Sequence, residues 1–152
     1  MPQIPLVAIV NDKERVEDLG ELLKGEGMDP TGFVTLEKAL PSLMSDCYDL
    51  ILYNLYTAPG LDCRKVIPDI DAMLTEPTKT QLGLHVVRQV RSRESMNQDT
   101  PLVVYNILDI NGTMPEFEEL RRELEVLKVV YSPDLKPASD ILSEIKYILG
   151  RE

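Results

Sequence analysis

Few residues in this sequence could do chemistry, and those few recur at similar places. Asn11-Asp12, Asn54 and Asn106 each stand directly after a short apolar run, and Ser132-Pro133 closes another. Asp12 brings a carboxylate; the others offer neutral amides or a hydroxyl. An amide nitrogen has a delocalised lone pair and is a poor nucleophile at neutral pH. Asparagine is also a common turn residue, because its side chain bonds its own backbone. Asp12, close before Glu14, has a plainer use as the cap of a helix with favourable first-turn charge.

Other chemistries lack parts. His85 is the only histidine, and the helical pattern around it places it facing solvent. No base, nucleophile and orienting carboxylate assemble around it, so the reading is not an enzyme. Cys47 and Cys63 have neither CxxC spacing nor a nearby histidine; two free thiols are expected, and no zinc. No G-x-G-x-x-G or G-x-x-x-x-G-K-[ST] loop occurs. The acidic run Asn11-Asp12-Lys13-Glu14 would repel the phosphate of a flavin, and Gly25-Glu26-Gly27 reads as a helix stop.

Composition narrows the field further. The chain has 152 residues, 43% hydrophobic and 28% charged, which suits one domain over residues 1–152 with its own core. Its formal net charge is −10. Nucleic acid or an anionic membrane would require clustered Lys and Arg, and here they are scattered. The densest group, Arg88, Arg91 and Arg93, reads as a solvated helix face. No apolar run approaches the roughly 20 residues that span a bilayer, and no basic-then-apolar leader opens the sequence. A cytoplasmic protein is expected.

Apolar runs and amphipathic stretches alternate along the chain. Strands are expected at residues 6–10, 32–35, 49–53, 101–105 and 129–131. Helices are expected at residues 14–24, 36–44, 83–93, after Thr113 as cap with Pro115 in the first turn, and after Ser139 as cap. Pro41 should interrupt the second helix or mark a restart. Inward faces are read at Leu84, Val87 and Val90, at Phe117, Leu120, Leu124 and Leu127, and at Ile141, Leu142, Ile145 and Ile148. The fold class is α/β, a doubly wound five-stranded parallel sheet in three αβα layers. Its crevice lies at the carboxyl ends of the strands, beside the asparagines above. Residues 63–82 break the rhythm as an insertion between the third strand and third helix. Within it Val66, Ile70 and Leu74 are spaced as one face of a short helix, with Pro68 in its first turn.

With these elements in order, the sequence resembles the receiver domain of two-component response regulators over nearly its whole length. "VNDKERVEDLGELLKGEGM" is similar to the first strand end and first helix, which usually begin V-D-D. "YDLILYNLYTAPGLD" is similar to the third strand and its Pro-Gly turn. "GLHVVRQVR" and "TPLVVYN" resemble the third helix and fourth strand. The resemblance implies flavodoxin-like receiver topology and a phosphorylation site of fixed parts. Two acidic residues after the first strand and an acceptor aspartate after the third hold Mg²⁺; a Thr or Ser and a Lys contact the phosphoryl group. Here those positions are Asn11, Asp12, Asn54, Asn106 and Ser132, with Lys136 as the lysine in an alternative alignment through a longer loop. Only Asp12 keeps its type.

Mg²⁺ prefers charged oxygens, and one carboxylate in place of about three should leave weak binding through Asp12 at most. Without metal and lysine, charge on a transferring phosphoryl group is not neutralised. The resemblance therefore implies a pseudo-receiver with a degenerate site and no cofactor, acting in two-component signal transduction by protein–protein interaction. The expected partner is a signalling protein or kinase, or a second copy in a homodimer. It would dock on the fourth helix, fifth strand and fifth helix, with Glu119, Arg122 and Tyr147 among the exposed residues, beside Glu116, Glu123, Asp140 and Glu144. The chain reads as a domain without an output module. Two alternatives stay open: a working phosphoreceiver using another acceptor such as Asp62, or a small ligand-binding α/β domain whose pocket includes the insertion.

Overall fold

Three apolar strands set the architecture. β1 (Leu6–Val10), β3 (Leu50–Tyr53) and β4 (Leu102–Tyr105) carry the sequences LVAIV, LILY and LVVY. Such unbroken apolar runs suit strands covered on both faces. In the computed structural model, which describes residues 4–68, 70–71, 80–105, 115–132 and 138–150, they form the middle of a parallel sheet. β2 (Asp29–Phe33) and β5 (Val130–Ser132) lie at its edges, and the strand order is β2-β1-β3-β4-β5 among the described residues.

Helices cover both faces. α1 (Lys13–Gly25) and α6 (Ala138–Ile148) bury Leu19, Leu23, Ile141 and Ile145 against Val7, Ile9, Leu50 and Leu52. α2 (Leu36–Ser45), the short α3 (Cys63–Val66), α4 (Thr80–Val90) and α5 (Pro115–Val126) cover the other face, over Ala8, Val10, Ile51 and Tyr53. The chain runs outward from β1 to β2 and then recrosses to β3. Successive connections diverge there, which opens a crevice at the carboxyl ends of β1 and β3.

Several expectations are corrected. α2 runs unbroken through Pro41. A helix-interior proline costs about 3 kcal/mol. Burial of Leu36, Leu40 and Leu43 offsets that at about 1.5–3 kcal/mol each, while the Pro41 ring sits exposed. β2 begins at Asp29, earlier than residues 32–35, because Asp29 N–H already bonds Pro5 O at 2.9 Å. α4 begins at Thr80 and so takes up the end of the insertion; it stops at Val90. β5 runs to Ser132, one residue further than expected, paired with Tyr105. α6 starts at Ala138, which places Ser139 inside its first turn and not at its cap.

The insertion is anchored, and it carries a short helix, α3, ahead of the one the spacing expects. Cys63, Ile67, Ile70 and Leu82 are buried in the same core as α2 and α4, whereas Val66 is only partly buried. α3 ends before Pro68, and Ile70 and Asp71 are helical again just after it, where the spacing expects a helix. Leu74 and Thr113 lie outside the described residues, as does the side chain of Phe117.

Arg91 is no solvated residue. Its guanidinium donates to the carbonyls of Leu127, Asn97, Gln98, Thr100 and Lys128, tying two loops at the amino end of the sheet. Fully buried Asn97 completes that end: Nδ2 donates to Leu43 O and Asp46 O, both at 2.7 Å. Arg88 pairs with Glu123 of α5, so of the three arginines only Arg93 is left on an exposed face. His85 is partly buried, not on the open surface.

α4 approaches β3 very closely. A Cβ on Gly83 would stand 2.3 Å from the carbonyl oxygen of Leu55. The buried Tyr53 hydroxyl donates to Gly83 O at 2.9 Å, and burial pushes its phenol pKa up. Gly83→Ala should therefore overpack this contact and lower stability by about 1–3 kcal/mol, read as a fall in Tm.

Candidate functional site

The carboxyl ends of β1 and β3 are brought level by the sheet register. Val10 stands opposite Tyr53, Tyr53 opposite Val104, and Val104 opposite Tyr131. The ladder continues one residue beyond the strands: Asn54 N–H donates to Val10 O at 2.9 Å and Asn11 N–H to Phe33 O at 3.1 Å. Asn11 and Asn54 thus stand side by side at the crevice, both half-buried.

Their side chains bond to each other. Asn54 Nδ2 donates to Asn11 Oδ1 at 3.0 Å. Two backbone N–H groups fix the orientation of the amides. Tyr56 N–H donates to Asn54 Oδ1 at 2.9 Å, so the Asn54 nitrogen must face Asn11. Asp12 N–H donates to Asn11 Oδ1 at 2.8 Å, so the Asn11 oxygen must face Asn54. Asp12 is the N-cap of α1, its Oδ1 accepting from Arg15 N–H at 2.9 Å. A cap of this kind stabilises a helix by about 1 kcal/mol.

The loop after β3 is held from below and from the side. Buried Thr57 donates through Oγ1 to Asn54 O at 2.7 Å. The open N–H groups of α2 bond the loop's carbonyls, Leu36 to Ala58 O at 2.9 Å and Glu37 to Pro59 O at 3.0 Å. The Glu37 carboxylate accepts from Asp62 N–H at 2.7 Å. Gly60 has φ +96°, and a Cβ there would stand 2.4 Å from Glu37 Cδ, so the Pro59-Gly60 turn requires glycine at its second position.

Chemically, this arrangement offers amide N–H donors and one carboxylate already used as a cap. Among the described residues no group of three or more His, Cys, Asp or Glu side chains could hold a metal. Asp62 lies away from the strand ends, at the start of α3, exposed and 3.7 Å from Lys65. Cys63 is buried behind the turn. Burial, with the Glu37 charge adding to it, pushes its thiol pKa up and keeps it a poor nucleophile. Cys47 is exposed, and both cysteines are free.

Of the residues read from the sequence, the fold brings together Asn11, Asp12 and Asn54. Ser132 ends β5 two strands away from Asn54, opposite Tyr105. Asn106 and Lys136 lie outside the described residues. Glu119, Arg122 and Tyr147 are exposed on α5 and α6. The sequence reading missed Thr57, Glu37 and Tyr53. Tyr53 had a signal, a polar-tipped side chain in an otherwise aliphatic buried strand, which must find a partner for its hydroxyl. Thr57 and Glu37 had none, since their partners are backbone groups brought close by folding.

No family model matches the chain, and no curated protein matches it. Solved structures do. The chemotaxis response regulator CheY4 of Vibrio cholerae superposes with a TM-score of 0.66 at 14% identity, covering 96% of this chain and 99% of that one. A two-component response regulator from Clostridium difficile gives 0.64 at 16% identity over 98% of each chain. The beryllofluoride-activated NtrC receiver domain gives 0.62 at 18% identity, covering 98% of this chain and 97% of that one. The chain has the response-regulator receiver fold, flavodoxin-like with a parallel α/β sheet.

Two measurements check the site. Asn54→Asp keeps the acceptor for Tyr56 but loses the donor to Asn11; urea denaturation should show a loss of about 1–2 kcal/mol, abolished in an Asn11→Ala background. Alkylation of the native protein should label Cys47 and spare Cys63. Because the folded Cys63 thiol holds its proton to higher pH than the unfolded one, its contribution to stability is full below the ordinary thiol range. It is lost as pH rises through the folded value, so urea midpoints should fall on the alkaline side and less so in Cys63→Ser.

Proposed function

We propose that this receiver-fold domain works in signalling by docking to a partner protein, without accepting a phosphoryl group. The observation that carries the reading is the Asn54–Asn11 hydrogen bond at the crevice, where a phosphoreceiver would need ionised carboxylates. Asn54 stands at the acceptor position of the resemblance, and Asn11 and Asp12 at its metal-holding pair. Asn106 and either Ser132 or Lys136 would complete a degenerate site. A carboxamide cannot form the acyl phosphate through a carboxylate oxygen, and the Asp12 carboxylate is engaged at the α1 N-cap. Any Mg²⁺ would be held weakly, through Asp12. The chain acts as one receiver-like domain over residues 1–152, with residues 63–82 as a built-in elaboration, in the cytoplasm, with no catalysis of its own and with neither nucleic acid nor membrane as its target.

Docking would use the edge formed by α5, β5 and α6. Val126, Val130 and Tyr147 are exposed there, at 80, 56 and 79%, among Glu119, Arg122 and the Arg121–Glu125 pair. Apolar groups inside a rim of mixed charge fit a protein partner, such as a kinase or other signalling protein, or a second copy.

Intact-mass spectrometry after incubation with acetyl phosphate and Mg²⁺ tests the reading. The native chain should gain no phosphoryl mass. A phosphorylated native chain, with the group mapped to Asp62 or elsewhere, would sink the proposal.

A further inference from the structure

Among the described residues β2 is an edge strand, and its outer side borders a groove. The bonds Asp29 N–H to Pro5 O and Asn11 N–H to Phe33 O turn the backbone groups of Asp29, Thr31 and Phe33 toward β1. By alternation, Pro30 and Gly32 point theirs to the open edge. Pro30 offers a carbonyl alone; Gly32 offers both N–H and carbonyl. On the α1 side of this edge lies a groove of about 280 Å³. Gly20 on α1 leaves it open, a Cβ there meeting only Pro30 Cγ at 4.0 Å, while Val16 packs onto Gly32 of β2, whose Cβ would stand 2.2 Å from Val16 Cγ1. Its accessible apolar surface is Val16 and Pro30, with buried Ile9 beneath them.

The rim is charged. Glu14, Glu17, Asp18 and Glu21 are all exposed and spaced i, i+3, i+4 and i+7, so they form one acidic stripe along α1. Glu17 and Glu21 of that stripe also line the groove, with Lys24 at its far end. Lys13 reaches Glu17 only at 4.0 Å, with both side chains exposed, a contact of little strength.

We propose that this groove docks an extended basic-aliphatic segment of a protein partner, added as a further strand on the β2 edge. The segment's aliphatic side chains would cover Val16 and Pro30. Its Lys or Arg side chains would meet Glu17 and Glu21, and its backbone would pair with Gly32. Unpaired edge groups are a template for strand addition, and flanking pockets and charges then select the sequence. β2 and β5 are opposite edges of the sheet, so this surface is separate from the α5–β5–α6 edge and stands or falls independently of it.

The probe is a blocked peptide of alternating Lys and Val, about nine residues long, titrated into the full chain and followed by amide chemical shifts. Shifts should concentrate at residues 16–24 and 29–34, and the matching Glu–Val peptide should cause none. A Cβ on Gly20 would meet only Pro30 Cγ at 4.0 Å, so Gly20→Leu should keep the fold and fill the groove. It should weaken binding at least about tenfold with Tm held or raised. The exposed pair Glu17→Gln with Glu21→Gln, which leaves the core untouched, should weaken binding by about tenfold and flatten its salt dependence. The proposal is overturned if shifts run along the whole acidic stripe and persist at equal affinity in Gly20→Leu, if they map elsewhere, or if none occur.

Discussion

The central strands of a parallel sheet covered on both faces meet solvent only at their ends. That constraint organises this protein. β1, β3 and β4 are apolar throughout their length, and the helices on either side seal them. Backbone groups beyond the last strand residue must still find partners. Asn11 and Asn54 satisfy them twice, first through their own N–H groups in the extended ladder and then through their side chains. The crevice is therefore closed by hydrogen bonds internal to the fold. A cluster of carboxylates at the same place would repel itself unless a cation were bound.

The loop beyond the crevice is stiffened by the same economy of partners. α2 has no side-chain cap hydrogen bond at Thr35, and its first N–H groups go to Ala58 and Pro59 carbonyls instead. Gly60 lets the chain pass close over Glu37. Tyr53, one residue before the crevice, reaches through the core to α4. The β3 end, α2 and α4 are thus joined by bonds that leave little room for the loop to rearrange.

Much of this was legible in the residues. Unbroken apolar runs located β1, β3 and β4 to within a residue, and the 3.6-residue spacing picked out the buried Leu84, Val87 and Val90 of α4, Leu120 and Leu124 of α5, and Ile141 and Ile145 of α6. Asp12 was readable as a cap from its place before Glu14. What was not legible depended on tertiary contact. Pro41 looks like a break until the burial around it is known. Arg91 looks like one charge in a polar stretch until several loop carbonyls converge on it. Val66 and Ile70 suggested one helix face, and the core buries Ile70 with Cys63 and Ile67 while Val66, on α3, is only partly buried. The mutual bond of Asn11 and Asn54 could not be read either, since residues 43 apart in sequence meet only through the register of β1 with β3.

The Arg91 and Asn97 clamp has a consequence for how this sequence can change over time. It gathers the amino-end loops with side chains drawn from that end alone, borrowing nothing from the opposite rim. The loops before β3, β4 and β5 are therefore secured independently of whatever occupies the crevice. Substitutions at the crevice leave this clamp intact. A lineage can discard one use of that rim and acquire another while the sheet beneath it stays the same.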